Sequence, residues 1–287
     1  MIALSRLYHP VTGTPFQQDA TYREVAPCPA LAPYIRCFWG SEGPQHDRDS
    51  AGGIVIPDTC MDIIFHIDHR AQRVSASFCG LDESSELTPA SKASGGYAAT
   101  FAIRFYAWTA CLFAEDSLRG SLNGRFPAEQ FFGRIVRALS PVLAEAATLA
   151  ECIRAAEPVL LALLDAGRAD PAVLCAIHHM LTSRGRARIG DVSAALALSP
   201  RQLERRFIAC MGASPKGFAS LIRYQLLWQD MLYSPRFDVL DAVDRYGYAD
   251  QAHLLKDFRR RHLMTPREAI ALAKGLSPRE SWQPQAD

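Results

Sequence analysis

Residues 247–258 read GYADQAHLLKDF, and residues 198–207 read LSPRQLERRF. Both stretches carry a turn, a polar residue suited to capping a helix, and then Leu and Phe four positions apart. Laying 188–198 on 238–248, an offset of 50, puts Ile189 on Val239, Asp191 on Asp241, Ala197 on Gly247 and Leu198 on Tyr248. Past the turn the offset becomes 51, because the second copy holds one extra residue, Ala249. Ser199 then matches Asp250, Leu203 matches Leu254, and Phe207 matches Phe258. Each copy therefore reads as a short amphipathic helix, a tight turn at a small residue, and a capped second helix. That is a helix-turn-helix.

The second helix of each copy has an apolar and a polar side. Leu and Phe one turn apart point inward, while Arg201 and Arg205, or Ala252 and Lys256, share the opposite ridge. Such a ridge fits a major groove roughly 12 Å wide, and the unpaired N–H groups of a helix start approach a phosphate favourably. Between the copies lies SPKGFASLIRYQLLWQDMLY (214–233), about 30 Å long if helical. Its Phe218, Leu221, Ile222, Trp228 and Leu232 predict a buried strut. A strut of that length holds two reading helices near the ~34 Å repeat of B-DNA.

Start signals are strong in this region. Ser199-Pro200, Ser214-Pro215 and Thr265-Pro266 each place a capping hydroxyl before a proline suited to the first helical position. Ser199 with Gln202, and Thr265 with Glu268, complete capping boxes.

Toward the N-terminus the pattern changes. YIRCFW (34–39), GGIVIP (52–57), MDIIFHI (61–67) and TFAIRFY (100–106) are short runs rich in β-branched and aromatic residues, separated by Gly, Pro and Ser. The polar stretch from Asp82 to Gly96 reads as a long loop. From Pro127 the period becomes helical: PAEQFFGRIVRAL, a new start at Ser140-Pro141, and a third helix opened by a Thr148/Glu151 capping box and kinked at Pro158. These middle helices either pack under the β-rich part or pair with a second copy to form a homodimer. Gly167 and Asp170-Pro171 mark a boundary. The expected architecture is α+β: a β-rich sensor domain (1–125), a helical linker or dimerisation region (126–168), and an all-α domain with two helix-turn-helix motifs (169–287).

Composition agrees with a globular chain of 287 residues, 49% hydrophobic and 21% charged. No run approaches the roughly 18 apolar residues of a membrane helix. MIALSRLYHPVTG lacks the apolar core of a secretory signal, so a cytoplasmic location and no membrane partner are expected. The net charge of +1 hides an asymmetry: residues 1–170 hold 14 Lys+Arg against 19 Asp+Glu, and 171–287 hold 17 against 11. Only the C-terminal part is suited to a polyanion. The eight cysteines form no C-x-x-C pair, and buried free thiols are the default.

At this point a resemblance is specific. Y-x-D-Q-x-H-L-x-K-x-F-R-R (Tyr248 to Arg260), Thr265-Pro266, S-P-R-Q-L-E-R-R-F (Ser199 to Phe207), Gly212 and Ser214-Pro215-Lys216 are similar to the DNA-binding module of AraC/XylS-type transcription regulators over residues 172–270. The chain departs from that pattern at Leu263-Met264, where the family usually has a Gly, and at Ala269-Ile270, where an aromatic-Arg pair often stands. The resemblance implies a non-enzymatic regulator, activator or repressor, with double-stranded DNA as partner, RNA polymerase as a further candidate, and no cofactor. It implies DNA contacts from Ser199, Pro200, Arg201, Gln202, Glu204 and Arg205 in the first copy, and from Gln251, Ala252, His253, Leu255 and Lys256 in the second. Arg suits guanine, Gln adenine and Glu cytosine N4, while Leu255 suits a thymine methyl. Arg206, Lys216 and Arg259 are expected on phosphates, and the run Arg259, Arg260, Arg261 on the solvated or phosphate side. His253 suits a structural hydrogen bond better than base readout. The stretches from Tyr22 to Trp39, from Val55 to Phe65 and 101–108 resemble an uncharacterised β-rich domain found ahead of such modules.

Two chemistries suggest themselves in the N-terminal part. Asp58, Asp62, His66, Asp68 and His69 invite a metal, but strand alternation puts Asp62 and His66 on one face and His69 on the other, and two ligands do not make a tetrahedral site, so none is expected. Aromatic residues (Phe38, Trp39, Phe65, Phe105, Tyr106, Trp108) with Arg104 as an anionic anchor suggest a small-molecule effector pocket, each against the plainer reading as core. Cys60 is a candidate reactive thiol without a basic neighbour in sequence. An alternative is that this domain binds another protein. An alkyltransferase is disfavoured because no cysteine precedes His-Arg, and a hydrolase because G-x-S-x-G and H-E-x-x-H are missing.

Overall fold

The computed structural model of the chain describes residues 4–12, 22–41, 53–88, 98–234 and 236–274. The apolar runs form the expected strands. After a one-turn helix α1 (Leu4–Leu7) come β1 (Tyr22–Val25), β2 (Ile35–Ser41), β3 (Gly53–Val55), β4 (Cys60–Asp68), β5 (Arg73–Cys79), β6 (Glu86–Thr88), β7 (Ala98–Tyr106) and β8 (Arg125–Pro127). Six of them make an antiparallel sheet in the order β1-β2-β7-β4-β5-β8, and β3 pairs with β6 in a second, two-stranded sheet. Strand alternation gives the large sheet two faces. Phe38, Ile63, Phe65, Phe101, Ile103 and Phe105 are buried on one, while Trp39, Asp62, Ile64 and Arg104 alternate to the other.

The middle helices cover the first face. α2 (Glu129–Glu145) and α3 (Leu149–Leu163) pack together and against β2, β4 and β5. Phe132 of α2 lies parallel to Phe105 with ring centroids 6.0 Å apart. The helical region is thus part of the N-terminal core. β8 crosses the boundary at residue 125 and pairs with β5.

Several expectations need correction. Ser140-Pro141 does not start a helix, because α2 runs through Pro141 with its non-helical residue at Phe132. Burial of Ile135, Val136, Leu139 and Leu143 along one face outweighs the hydrogen bond that Pro141 removes. α3 likewise continues past Pro158, with its capping box formed by Thr148 and Glu151. Within the polar 82–96 stretch a strand, β6, forms; residues 89–97 lie outside the described residues. β1, β5 and β8 carry too few large apolar residues to stand out in sequence.

The C-terminal part is all helix: α4 (Pro171–Thr182), α5 (Ile189–Ala195), α6 (Pro200–Met211), α7 (Pro215–Tyr233), α8 (Val239–Tyr246), α9 (Gln251–His262) and α10 (Pro266–Ala273). Both copies of the repeat fold alike. Leu198 N–H donates to Ser193 O and Tyr248 N–H to Val243 O, each at 2.9 Å. Ala197 (φ 54°) and Gly247 (φ 66°) occupy the same left-handed position in the two turns. The second helices also end alike, at Gly212 (φ 72°) and Leu263 (φ 63°).

Each copy therefore places glycine at one left-handed site and a side chain at the other. A non-glycine there costs about 1–2 kcal/mol, and Leu263 gains little packing in return, being 49% exposed. Leu263→Gly should stabilise the chain by about 0.5–1 kcal/mol after allowing for the greater freedom of glycine when unfolded. Urea unfolding measures this, and a destabilised variant would contradict it.

Candidate nucleic-acid interface

The first reading helix, α6, starts at a complete capping box: Ser199 Oγ accepts from Gln202 N–H at 3.2 Å, and Gln202 Oε1 accepts from Ser199 N–H at 2.8 Å. In the second, Asp250 Oδ1 accepts from His253 N–H at 2.7 Å. Behind these starts, Leu203, Phe207, Leu254 and Phe258 are buried, as their spacing requires. Ser199, Pro200, Arg201, Gln202, Glu204 and Arg205 are exposed on α6, and Gln251, Ala252, His253 and Lys256 on α9; Leu255 is half-buried.

Some side chains on this surface are already engaged. The Gln202 carbonyl serves the cap, so a two-pronged contact with adenine requires its release. His253 Nδ1 accepts from Ala249 N–H at 3.4 Å, and its ring meets that of Tyr248 edge-on at 5.3 Å, supporting the turn. Arg206 pairs at 2.8 Å with Asp170, the cap of α4. Lys216 and Arg259 are exposed.

Residues 192–271 match the family model of a helix-turn-helix domain, and residues 23–123 match a domain of unknown function (DUF6597). The chain carries an AraC-type helix-turn-helix domain at its C-terminal end. That domain is of the kind by which AraC-type transcription regulators bind DNA. Among solved structures it is similar to an AraC-type regulator from Chromobacterium violaceum (22% identity, 36% of this chain and 92% of that one, TM-score 0.33). It is also similar to the C-terminal domain of AraT from Geobacillus stearothermophilus (20%, 42% and 94%, 0.34) and to ToxT from Vibrio cholerae O395 (12%, 90% and 100%, 0.39). No curated protein matches the chain. Among the described residues no helix is long and apolar enough to cross a membrane.

The AraC-type module is not a separate body. Gln225, fully buried in the middle of α7, accepts from Val11 N–H at 2.9 Å and donates to Pro57 O at 2.7 Å and Val11 O at 3.3 Å. Phe218 of α7 meets Trp108 edge-on at 6.3 Å. Arg261 corrects the solvated reading of the arginine run, since it is 2% exposed. Its guanidinium donates to Glu83 O and Ser220 Oγ, both at 2.9 Å, and its carbonyl accepts from Ser85 N–H at 2.6 Å. Arg261 faces inward because it stands three positions after Phe258, on the same side of α9. That spacing was the available signal. His262 beside it is buried and held neutral, its pKa lowered to about 3 by desolvation.

On the open face of the large sheet lies a cavity of about 320 Å³, roofed by β3 and β6. Its lining includes Trp39 and Arg104, along with Ile54, Ile56, Ile64, Asp58, Asp62, Asp82, Glu86 and Arg125. Of the expected pocket residues, Phe65, Tyr106 and Trp108 lie elsewhere. Alternation turns Phe65 to the helix-covered face, where it stacks on Phe101 at 6.0 Å. Tyr106 stacks on Trp108 at 4.9 Å in the seam with α7.

Arg104 is not a free anionic anchor either: it donates to both Asp62 oxygens (2.9 and 3.1 Å) and pairs with Glu24 at 3.6 Å. Trp39 Nε1 also donates to Asp62, so that carboxylate has little left for a metal. Among the described residues no cluster suited to a metal ion forms. Arg125 is shared by Asp82 and Glu86 at 2.9 Å each. Among the described residues Asp58 accepts from the Cys60 N–H at 2.7 Å.

Burial, opposed by Arg104, raises the Asp58 carboxyl to about 6. A carboxyl with a native pKa above its unfolded value stabilises the fold when protonated; that contribution is full below about pH 4 and is lost as pH rises through 6. Asp58→Asn keeps an acceptor for Cys60 and removes the titration, while His262 cancels between the two proteins. The stability of the variant minus that of the parent should grow by about 2–3 kcal/mol from pH 4 to pH 7. Urea melts across that range would show a flat difference if Asp58 titrates normally.

Proposed function

We propose that the exposed faces of α6 and α9 enter adjacent major grooves of one duplex, and that the N-terminal domain governs this by holding a small molecule in the cavity on its sheet. The observation that carries the first part is the repeated geometry. Two helices with the same buried Leu and Phe present the same polar ridge, and α7, 19 residues or about 28 Å long, braces both. On α6, Arg201 and Arg205 have the two-pronged geometry for guanine O6 and N7. On α9, Lys256 occupies the position of Arg205, and Leu255 is placed for a thymine methyl. Lys216 and Arg259 then fall on phosphates.

The cavity carries the second part. Its size lies at the small end of the range for ligand sites. Among the described residues four carboxylates and two guanidinium groups line it, each Arg already pairs with two carboxylates, and Asp58 is in no ion pair within 4 Å. A neutral or cationic molecule with an apolar body suits this lining, and a carboxylic acid does not. The walls also hold the DNA-binding module: Ile56 and Asp58 flank Pro57, which binds Gln225 of α7, while Asp82 and Glu86 flank the Glu83 and Ser85 contacts to Arg261 of α9. A ligand that shifts these walls acts through hydrogen bonds on α9 and on α7, the strut that braces both reading helices.

Arg201→Ala should lose about 1–3 kcal/mol on a duplex selected by the parent protein and relax its sequence preference; Lys216→Ala should weaken all duplexes alike and reduce the salt slope by about 1. Fluorescence anisotropy against salt separates the two, and unchanged binding by Arg201→Ala overturns the assignment. In a thermal-shift series, small amines should raise Tm and carboxylic acids of matched size should not. Ile64→Phe, which fills the cavity, should abolish the response; stabilisation by the acids alone would refute the ligand class.

A further inference from the structure

Cys111 and Cys210 are 99 positions apart in sequence, yet their sulfurs stand 3.0 Å apart. Cys111 belongs to the 3-10 turn Ala110–Leu112, which follows β7 in the N-terminal domain, and Cys210 to the last turn of the first reading helix. A disulfide holds its sulfurs about 2.05 Å apart, so bond formation requires a closure of about 1 Å. Both thiols also reach the Trp108 carbonyl, at 3.9 and 3.8 Å, which aligns them on one acceptor. The backbone around them is tied: Leu118 N–H donates to Ala209 O at 3.0 Å, and Ser117 Oγ to the same oxygen at 3.3 Å. Every one of these seam contacts is non-covalent.

The two sulfurs differ in character. The hydrogen bond from Cys210, assisted by Arg168, holds the Cys111 thiol below its ordinary value against the opposing effect of burial. Cys210 is held above its own. By contrast, burial pushes Cys37 and Cys79 up to about 12 and Cys152 to about 11. Cys60, the reactive candidate by sequence, is 4% exposed and raised further by Asp58. Thiolate character is therefore favoured at Cys111, which has the Cys210 sulfur in reach.

We propose that Cys111 and Cys210 are a dithiol site that a small hydroperoxide oxidises to a reversible disulfide, joining the N-terminal domain to the first reading helix. The Cys111 thiolate attacks one peroxide oxygen and the O–O bond breaks. A sulfenic acid forms, and the departing oxygen leaves as an alcohol, or as water from hydrogen peroxide, after taking up a proton. The Cys210 sulfur then displaces the hydroxyl group, which leaves as water with the proton of Cys210. The two sulfurs give up two electrons and the peroxide gains them. Once made, the bond closes a long loop and prevents the end of α6 from parting from residues 108–118.

The test uses the full chain, treated with hydrogen peroxide, blocked with an alkylating agent and digested for mass spectrometry. The expected result is a linked peptide containing Cys111 and Cys210 that dithiothreitol removes, with a rise of several degrees in Tm that dithiothreitol reverses. Cys111→Ser and Cys210→Ser should each lose both responses while retaining helical circular dichroism under reducing conditions. Peptide mapping on the parent protein alone decides the case if either variant fails to fold. Sulfinic acid at either cysteine without a link, disulfides confined to other cysteines, or no oxidation at all overturns the proposal. None of these readouts depends on which duplex or ligand the protein binds.

Discussion

Burial of α7 is the constraint on which the C-terminal half depends. Phe218, Leu221, Ile222, Tyr224, Leu227 and Trp228 leave this helix little solvent-facing surface, so it must be enclosed by its neighbours. Phe218 meets Phe207 of α6 at 6.3 Å, and Tyr224 and Trp228 each meet Phe258 of α9 at 5.7 Å. A two-helix motif alone buries too little surface to be stable. Packing on the shared strut supplies the rest and sets how the two reading helices are held.

The same helix joins the module to the rest of the chain. A buried amide such as Gln225 is costly unless its donors and acceptor are satisfied, and here backbone groups of Val11 and Pro57 satisfy them. Arg261 does the same from α9 through Glu83 and Ser85. The hydrophobic cluster runs without a break from the sheet through Trp108 and Phe218 into the helices. The sheet, its cavity and the reading helices are therefore mechanically connected, and what one part does reaches the others through satisfied polar contacts that resist being broken singly.

How much of this could be read in advance depended on the range of the interaction. Capping hydroxyls at Ser199, Ser214 and Thr265 act on backbone within one turn, and the structure has each of them in place. The repeat was legible because both turns need one small or left-handed residue at the same point. Ser140-Pro141 carries the same local signal and fails, because the buried face of α2 continues across it. In the N-terminal domain the aromatic residues were evident as a set, but a strand sorts neighbours to opposite sides. Trp39 and Arg104 reach the cavity, while Phe65 joins the core and Tyr106 and Trp108 join the seam.

The sequence by itself determined the paired helix-turn-helix units, their starts and ends, and which face of each second helix is polar. All of these follow from contacts between residues a few positions apart. Only the tertiary structure decided that Arg261 is a buried clamp, that burial raises the Asp58 carboxyl, and that Cys111 lies against Cys210. Those properties arise from groups about 100 positions or more apart, or from the burial that distant segments impose. No local pattern encodes either.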